Sequence, residues 1–273
     1  MDPRSTRPAG RTDAPGPRFE PIPKPGGGIR RLTLLDAATD AEYRDAVGPL
    51  AARIERSLGP EVFAIRSRPR GTEWRLDPWG PARDAWGRTL RRAIREAASG
   101  TVFAVADVRD CYGSISPETI RALLGPEAAH AVAVLRQLRQ HGVRGLPVGP
   151  DPSAMLANAA LSRLDRSIRH HGVRFIRWVD DLVLWGDGDD VRRAMAALGS
   201  AAAGVGLDLH RDKTRILADR VEARTVMLGE RDSSIIAARE DPLSRLPRRD
   251  AVPSDDGGVD PRGRPTRPAR GHG

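Results

Sequence analysis

The order of strand-like and helix-like segments predicts an α+β domain. TVFAVAD (101–107) is a short apolar run that ends in an acid, and VRFIRWV (173–179) and LVLW (182–185) are strand-like runs separated by Asp180 and Asp181. The last two runs are expected to form a tight antiparallel hairpin. Helix-like stretches stand before, between and after these runs, which favours a sheet with packed helices over a parallel doubly wound sheet.

Turn and cap signals place the elements of the N-terminal part. KPGGGIR (24–30) is a Gly-rich bend flanked by extended segments. Asp40 is a candidate N-cap for a helix near 41–58, because its carboxylate can accept hydrogen bonds from unpaired backbone N–H groups. Residues 81–98 are also expected to be helical.

Two helix starts follow the first apolar strand. Ser116 is a cap residue, Pro117 suits the first turn, and Glu118 places an acid at the positive end of the helix dipole. Asp151 and Pro152 open a longer helix in which apolar residues recur at a spacing of four. The remaining expectations are a helix at about 189–203 and short strands near 207–209, 214–217 and 225–228.

Charge and composition limit the classes of function. The chain has 273 residues, a net charge of +9 and a single cysteine, so no internal disulfide can form. Residues 1–18 and 241–273 are dense in Pro, Gly and Arg and are predicted to be disordered. The basic excess extends to residues 19–240, which is compatible with a polyanionic partner as well as with a solvated surface. No apolar run has the length of a membrane span, and a cytoplasmic protein is expected.

Lysine and asparagine are almost absent. Lys24 and Lys213 are the two lysines among 45 basic residues, and Asn158 is the one asparagine. A GC-rich genome explains the bias most simply, but each surviving residue is worth inspecting.

Three acids lie where strands are predicted to end. Asp107 follows VFAVA, and Asp180 and Asp181 lie between the two strands of the hairpin. Carboxylates beside buried strands are costly unless they are paired or bound to a cation, so three of them on neighbouring strands suggest a magnesium site. An isolated Asp-Asp pair is otherwise an ordinary turn sequence.

Seven segments, taken in order, resemble the motifs of reverse transcriptases, and the resemblance covers roughly residues 19–232. The segments are IPKPGGGIRRLTLLD, VFAIRSRPRG, AVADVRDCYGSISPETI, GLPVGPDPSAMLANAALSRLD, FIRWVDDLVLW, GLDLHRDKTRIL and VMLGE. The resemblance implies a right-hand polymerase with fingers at about 19–100 and a palm with an antiparallel sheet at about 101–232. It also implies an RNA-directed DNA polymerase that uses Mg²⁺, or Mn²⁺ as an alternative.

The roles of the acids and the aromatic residue are carried over from the family residue by residue. Asp107 and Asp180 would be the principal metal ligands, and Asp181 would complete the cluster. Tyr112 matches the steric gate that rejects a 2′-hydroxyl and so favours deoxynucleotides. An ordinary core tyrosine is the other interpretation of Tyr112.

The basic residues and one glycine receive roles in the same way. Lys24 and Arg30 match the pair of cations that grips the incoming triphosphate, with Arg31 as the alternative to Arg30. Lys213 matches the lysine that can protonate pyrophosphate as a general acid. Gly149, the last glycine of GLPVG, is assigned to nucleotide binding.

Two positions depart from the family pattern. Val148 stands where glutamine is usual, and Trp178 stands where most relatives have tyrosine. The valine and the GPDPS spelling resemble the abortive-infection and defence-associated branch of bacterial reverse transcriptases. That branch implies a role in antiphage defence and leaves untemplated or protein-primed synthesis open.

The expected enzyme adds deoxynucleotides to a DNA or protein primer on an RNA template by two-metal phosphoryl transfer. A thumb is expected to be short or absent, so a non-coding RNA, an accessory protein or a second copy of the chain would replace it. One alternative is a terminal transferase or an RNA polymerase. Another is a catalytically weak palm that binds RNA and a partner.

Overall fold

The structure, a computed structural model, describes residues 16–24, 27–70, 73–217 and 219–228. Two hairpins lie at its N-terminal side, and both are antiparallel. Strands β1 (Arg18–Pro23) and β2 (Ile29–Leu34) form the first, and β3 (Ser67–Arg70) and β4 (Glu73–Leu76) form the second. The Gly-rich bend expected between two extended segments therefore joins β1 to β2.

Helix α1 (Ala37–Ser57) begins earlier than the sequence predicts. Asp36 is its N-cap, since its carboxylate accepts hydrogen bonds from the backbone N–H groups of Ala38 and Thr39. The assignment of the cap to Asp40 is wrong, because the N–H of Asp40 already bonds the carbonyl of Asp36 within the first turn. Both aspartates suit a helix start, and the one next to the strand provides the cap.

A four-stranded antiparallel sheet forms the centre of the described structure. Its strands are β5 (Val102–Asp107), β6 (Arg174–Trp178), β7 (Asp181–Gly186) and β8 (Arg215–Leu217), in the order β6-β7-β5-β8. The first three confirm the predicted apolar strands and hairpin. The strand expected near 207–209 is reduced to one bridge between Val108 and Leu209.

Helices cover both faces of this sheet. Helix α2 (Trp79–Glu96) is followed along the chain by a short α3 (Cys111–Ser114), then by α4 (Pro117–Leu124), α5 (Ala129–Gln140), α6 (Asp151–Ile168) and α7 (Gly188–Gly204). Ser116 caps α4 by accepting from the N–H of Thr119, as predicted.

Strand alternation divides the apolar core into two layers, because successive side chains point to opposite faces of a sheet. Ala104, Ala106 and Leu184 face a large cluster that includes α1, α5, α6 and α7. Phe103 and Val183 face a smaller cluster with α2. Helix α6 is buried along nearly its whole length, which makes it the central helix of the first layer.

The strand predicted at 225–228 is wrong. These residues belong to a last described helix, α8 (Arg220–Leu228). Ala223 and Met227 are four residues apart, and both are buried in the smaller apolar cluster. That spacing is helical, and packing of this stripe outweighs the strand propensity of the short TVM run.

Several expectations concern residues outside the described ranges. The two predicted disordered tails fall almost entirely there, and so do the glycine of VMLGE and any thumb beyond Leu228. No helix among the described residues is long and apolar enough to cross a membrane.

Candidate active site

Asp107 and Asp181 lie side by side on two neighbouring strands of the central sheet. Asp107 is the last residue of β5, Asp181 is the first of β7, and the two are direct partners in the antiparallel register. Opposed residues in such a pair have Cβ atoms about 4.5 to 5.5 Å apart, and like charges there repel. Asp107 is also buried. A cation beside these carboxylates would offset their repulsion.

Asp180 lies in the turn that precedes Asp181. Trp178 and Asp181 pair, so Val179 and Asp180 form a two-residue hairpin loop. Val179 has φ 54°, a left-handed conformation that glycine prefers and a β-branched residue avoids. Conformations of this kind cost about 1 to 3 kcal/mol and persist where surrounding contacts hold them. The turn that carries the acids is thus strained.

Lys213 supplies one cation. Its Nζ lies 3.0 Å from Oδ2 of Asp107, with the lysine side chain about half exposed and the aspartate nearly buried. The segment is tied to β5, because the N–H of His210 donates to the carbonyl of Asp107 at 2.7 Å. The ion pair therefore joins the expected general acid to an expected metal ligand.

The pKa of the Cys111 thiol reflects the negative charges near it. Burial raises the pKa of its thiol well above the usual value, and the charges of Asp180, Asp107 and Asp110 raise it further. The thiol is protonated at neutral pH, which does not suit a nucleophile.

Tyr112 lies on α3, five residues after Asp107. Its carbonyl accepts a hydrogen bond from the N–H of Leu146 at 2.8 Å. A Cβ on Gly145 would come within 2.4 Å of the same carbonyl oxygen, and Gly145 has φ 64°. Only glycine allows this approach, so the GLPVG loop and the segment that carries Tyr112 are packed backbone against backbone.

Gly149 lies where the same loop contacts β2. The N–H of Thr33 donates to the carbonyl of Val148 at 2.7 Å. A Cβ on Gly149 would lie 2.8 Å from Cδ1 of Leu32, and φ there is 129°. The loop therefore contacts both the first hairpin and helix α3, and Gly149 has a packing role beside the expected nucleotide role.

Lys24 and Arg30 are exposed on the first hairpin, away from the central sheet itself. Lys24 closes the turn through backbone hydrogen bonds with Gly27 and Gly28. Arg30 and Arg31 are consecutive strand residues and so point to opposite faces. The Arg31 guanidinium lies 3.4 Å from the centroid of the Phe19 ring, which leaves Arg30 on the other face.

Trp178 packs against helix α2. Its ring centroid lies 5.3 Å from that of Trp79, edge on, and 6.1 Å from that of Trp86. These contacts attach Trp178, the residue before the strained turn, to helix α2.

Sequence reasoning missed Arg177. The residue is completely buried in β6 and makes a two-point ion pair with Asp165 of α6. An arginine in the middle of an apolar strand was the available signal, since a buried charge requires a partner. Asp165 is likewise an acid within a buried helix face.

The donor set of the acids suits a hard divalent cation, because carboxylate oxygens are the ligands that Mg²⁺ prefers. Among the described residues, no group of three or more His, Cys, Asp or Glu side chains has the geometry of an assembled metal site. The backbone brings Asp107, Asp180 and Asp181 to one end of two paired strands, while the side chains are not arranged as a ligand shell.

Comparison with known families identifies the chain. Residues 22–229 match the family described as "Reverse transcriptase (RNA-dependent DNA polymerase)". The match covers well over half of the sequence, so the chain belongs to the reverse transcriptase family. The predicted α+β fold with palm and fingers is confirmed.

Two solved structures of telomerase from Candida tropicalis are similar at low sequence identity. The telomerase in complex with the TWJ fragment of telomeric RNA has a TM-score of 0.48 and 10% identity, over 74% of this chain and 41% of that one. The apo enzyme truncated from its C-terminal domain has a TM-score of 0.46 and 9% identity, over 74% and 50%. This chain thus spans half or less of the length of these neighbours. No curated protein matches it.

Proposed function

We propose that the protein is an RNA-directed DNA polymerase whose active site is formed by Asp107, Asp180 and Asp181. The observation that carries the proposal is the direct antiparallel pairing of Asp107 with Asp181, with Asp180 in the adjoining strained turn. Asp107 is buried and Asp181 is partly buried, so the like charges of this pair are a cost to the fold that a cation-dependent reaction explains. Membership of the reverse transcriptase family supports the same reaction.

The three carboxylates would hold the divalent ions, Mg²⁺ or alternatively Mn²⁺. When bound, such ions stabilise the entering and leaving oxygens of a phosphoryl transfer. In the reaction the primer 3′-oxygen forms a bond to the α-phosphorus of the nucleotide. The bond from that phosphorus to the bridging oxygen breaks, and pyrophosphate leaves.

Lys213 would supply the proton that pyrophosphate takes. Its Nζ is already held at the site by Asp107 at 3.0 Å. An ammonium group can give up a proton, which a guanidinium does not do in proteins. Half exposure of the side chain allows it to turn from Asp107 to the leaving group.

The remaining residues would bind the nucleotide. Lys24 and Arg30 would contact the triphosphate from the exposed hairpin, because cations of this kind form charge-assisted hydrogen bonds with phosphate oxygens. Tyr112 would pack under the sugar, and Gly149 would contribute to nucleotide binding. The Thr33 to Val148 hydrogen bond connects the hairpin to the loop that contains Gly149.

The direct test replaces both acids of the turn. In Asp180→Asn with Asp181→Asn, primer extension on an RNA template should fall by at least about 1,000-fold, since amides neither bind nor neutralise the divalent ions as carboxylates do. The matched control is Asp189→Asn with Asp190→Asn, an Asp-Asp pair on α7 that forms exposed ion pairs with Arg192 and Arg193. The control should retain activity. Undiminished synthesis by the first variant would contradict the proposal.

A second candidate reaction is untemplated or protein-primed addition of nucleotides. Val148 favours it, because an apolar side chain stands where relatives place an amide near the template, and here the backbone carbonyl alone makes the polar contact with β2. Val148→Gln should raise the dependence of incorporation on template sequence. Equal template dependence in both proteins would count against this candidate.

We propose that the enzyme acts in the cytoplasm of a bacterium in defence against phage. The GPDPS spelling and Val148 support the assignment. A non-coding RNA, an accessory protein or a second copy of the chain would supply the clamp on the primer and template. Plaque counts on cells that express the wild type or the Asp180→Asn, Asp181→Asn variant test the role, and equal counts would contradict it.

A further inference from the structure

Arg177 is a completely buried charged side chain that the proposed reaction does not use. Its side chain has no exposed surface, and each nitrogen of the guanidinium has a partner. Nε and Nη2 each donate to one oxygen of Asp165 at 2.8 Å. Nη1 donates to Oδ1 of Asn158 at 3.0 Å and to the carbonyl of Val179 at 2.7 Å.

The partners of Arg177 come from separate parts of the chain. Asp165 and Asn158 lie on the buried helix α6, and the amide of Asn158 donates to the carbonyl of Ile65 at 2.8 Å. The backbone of Arg177 pairs with residues 61 and 63, at 2.9 and 3.1 Å. The guanidinium is therefore held by Asp165 and Asn158, and the backbone of the same residue is held by residues 61 and 63.

The backbone conformation of Val179 requires stabilising contacts. It has φ 54° in the loop that carries Asp180, and a β-branched residue does not favour that conformation. Arg177 donates to the carbonyl of Val179, which forms the peptide bond to Asp180. A rigid donor at this point fixes the orientation of that peptide and so the direction in which Asp180 leaves the turn.

The contribution of such a pair to stability does not explain its presence. A buried ion pair often adds little compared with apolar residues of similar volume, because removing both charges from water offsets their attraction. Arg177 also places a positive charge near Cys111, where it opposes the effect of the aspartates on the thiol pKa. Donation of a hydrogen bond to the carbonyl of Val179 is a role that an apolar pair could not fill.

We propose that Arg177 is a positioning residue of the active site. Its guanidinium, held by Asp165 and Asn158, fixes the carbonyl of Val179 and thereby orients Asp180 and Asp181 for binding divalent ions. The inference rests on the proposed function, since it concerns the same acids. It differs from the metal and nucleotide roles above because Arg177 acts only through the turn.

The test replaces the ion pair by apolar residues of similar size, in Arg177→Met with Asp165→Leu. Three properties are measured: the thermal melting temperature, binding of Mn²⁺ from the electron paramagnetic resonance signal of the free ion, and kcat and KM for a deoxynucleotide. We expect a folded protein whose Mn²⁺ dissociation constant rises about tenfold and whose kcat falls about 10- to 100-fold, as for other residues that orient metal ligands. KM for the nucleotide should stay within about twofold, because Lys24 and Arg30 are untouched.

The matched control is Arg53→Met with Glu127→Leu, which removes an exposed arginine–carboxylate pair far from the turn in sequence. It should leave Mn²⁺ binding and kcat unchanged. Arg177→Lys keeps the charge and loses the two-point contact, and it provides the measurement if the double variant does not fold. We expect it to weaken Mn²⁺ binding as well.

The possible outcomes distinguish the positioning role of Arg177 from the proposed function. Wild-type Mn²⁺ affinity and kcat in a folded Arg177 variant would overturn the positioning role and leave the proposed function intact. A wild-type protein that binds Mn²⁺ no better than Asp180→Asn with Asp181→Asn would overturn the proposed function, and the role of Arg177 with it.

Discussion

The electrostatics of the candidate site are set by three residues, Asp107, Asp181 and Lys213. Two carboxylates oppose each other at the ends of β5 and β7, and the lysine ammonium contacts one of them at 3.0 Å. The pair with Lys213 reduces the repulsion, but a half-exposed lysine holds its partner only weakly. The arrangement therefore suits exchange of the lysine contact for divalent ions when nucleotide is present.

Tyr112 provides a test of substrate selection at the scale of one residue. In Tyr112→Ala the preference for deoxynucleotides over ribonucleotides should fall by roughly 10- to 100-fold, because the ring that would exclude a 2′-hydroxyl is gone. The ratio of kcat/KM for dNTP and NTP on one protein sample is the measurement, since loss of folded protein cancels in the ratio. Tyr112→Phe keeps the ring and should keep the ratio. An unchanged ratio in the alanine variant would assign Tyr112 to the core alone.

The sequence predicts that the acids lie close together, and it does not predict the burial of Arg177. Asp107 and Asp181 stand at strand ends and Asp180 in the turn before β7, and the structure places all three at one end of β5 and β7. Arg177 is one letter in an apolar run, and alternation alone would let it face solvent. Its burial depends on Asp165, twelve residues earlier, and that pairing exists only in the folded chain.

At the scale of helices and strands, α1 and α6 are joined by a buried polar contact. The hydroxyl of Tyr43 lies 3.2 Å from that of Ser153, and both side chains are fully buried. Burial raises the pKa of the Tyr43 phenol above its usual value of 10.0. The folded protein thus keeps the proton after the unfolded chain has lost it.

This contact predicts how stability depends on alkaline pH. A raised folded-state pKa makes the free energy of unfolding fall as pH rises above about 10, by up to about 1.4 kcal/mol per pH unit from this one group. Tyr43→Phe with Ser153→Ala removes the titrating group and its partner together. Urea unfolding between pH 9 and 11 should give a smaller slope for the variant, and equal slopes would contradict the assignment.

Element boundaries show where local patterns are insufficient. The apolar strands and the Ser116 cap are correct because one signal dominates each of them. Asp36 and Asp40 offer two caps in one segment, and the choice depends on where β2 ends. Local propensity predicts a strand at residues 225–228. The structure has a helix there, because Ala223 and Met227 are both buried in the smaller apolar cluster at a helical spacing.

At the scale of the whole molecule, the net charge of +9 and the reverse transcriptase family point to a nucleic acid partner. The GLPVG loop connects the exposed hairpin of Lys24 and Arg30 to helix α3, which follows β5 along the chain. The template, the primer and the nucleotide would bind near this loop. Arg177, paired with Asp165 of α6, donates a hydrogen bond to the carbonyl of Val179 in the turn that carries Asp180.

Template-directed addition of a single nucleotide tests the central claim most directly. The full chain is given a primer on an RNA template whose next base is varied, with Mg²⁺ and one deoxynucleotide at a time. The account predicts addition of the complementary nucleotide alone, with release of pyrophosphate and loss of the product in Asp180→Asn with Asp181→Asn. Addition that ignores the template base, or none above the level of that variant, would contradict it.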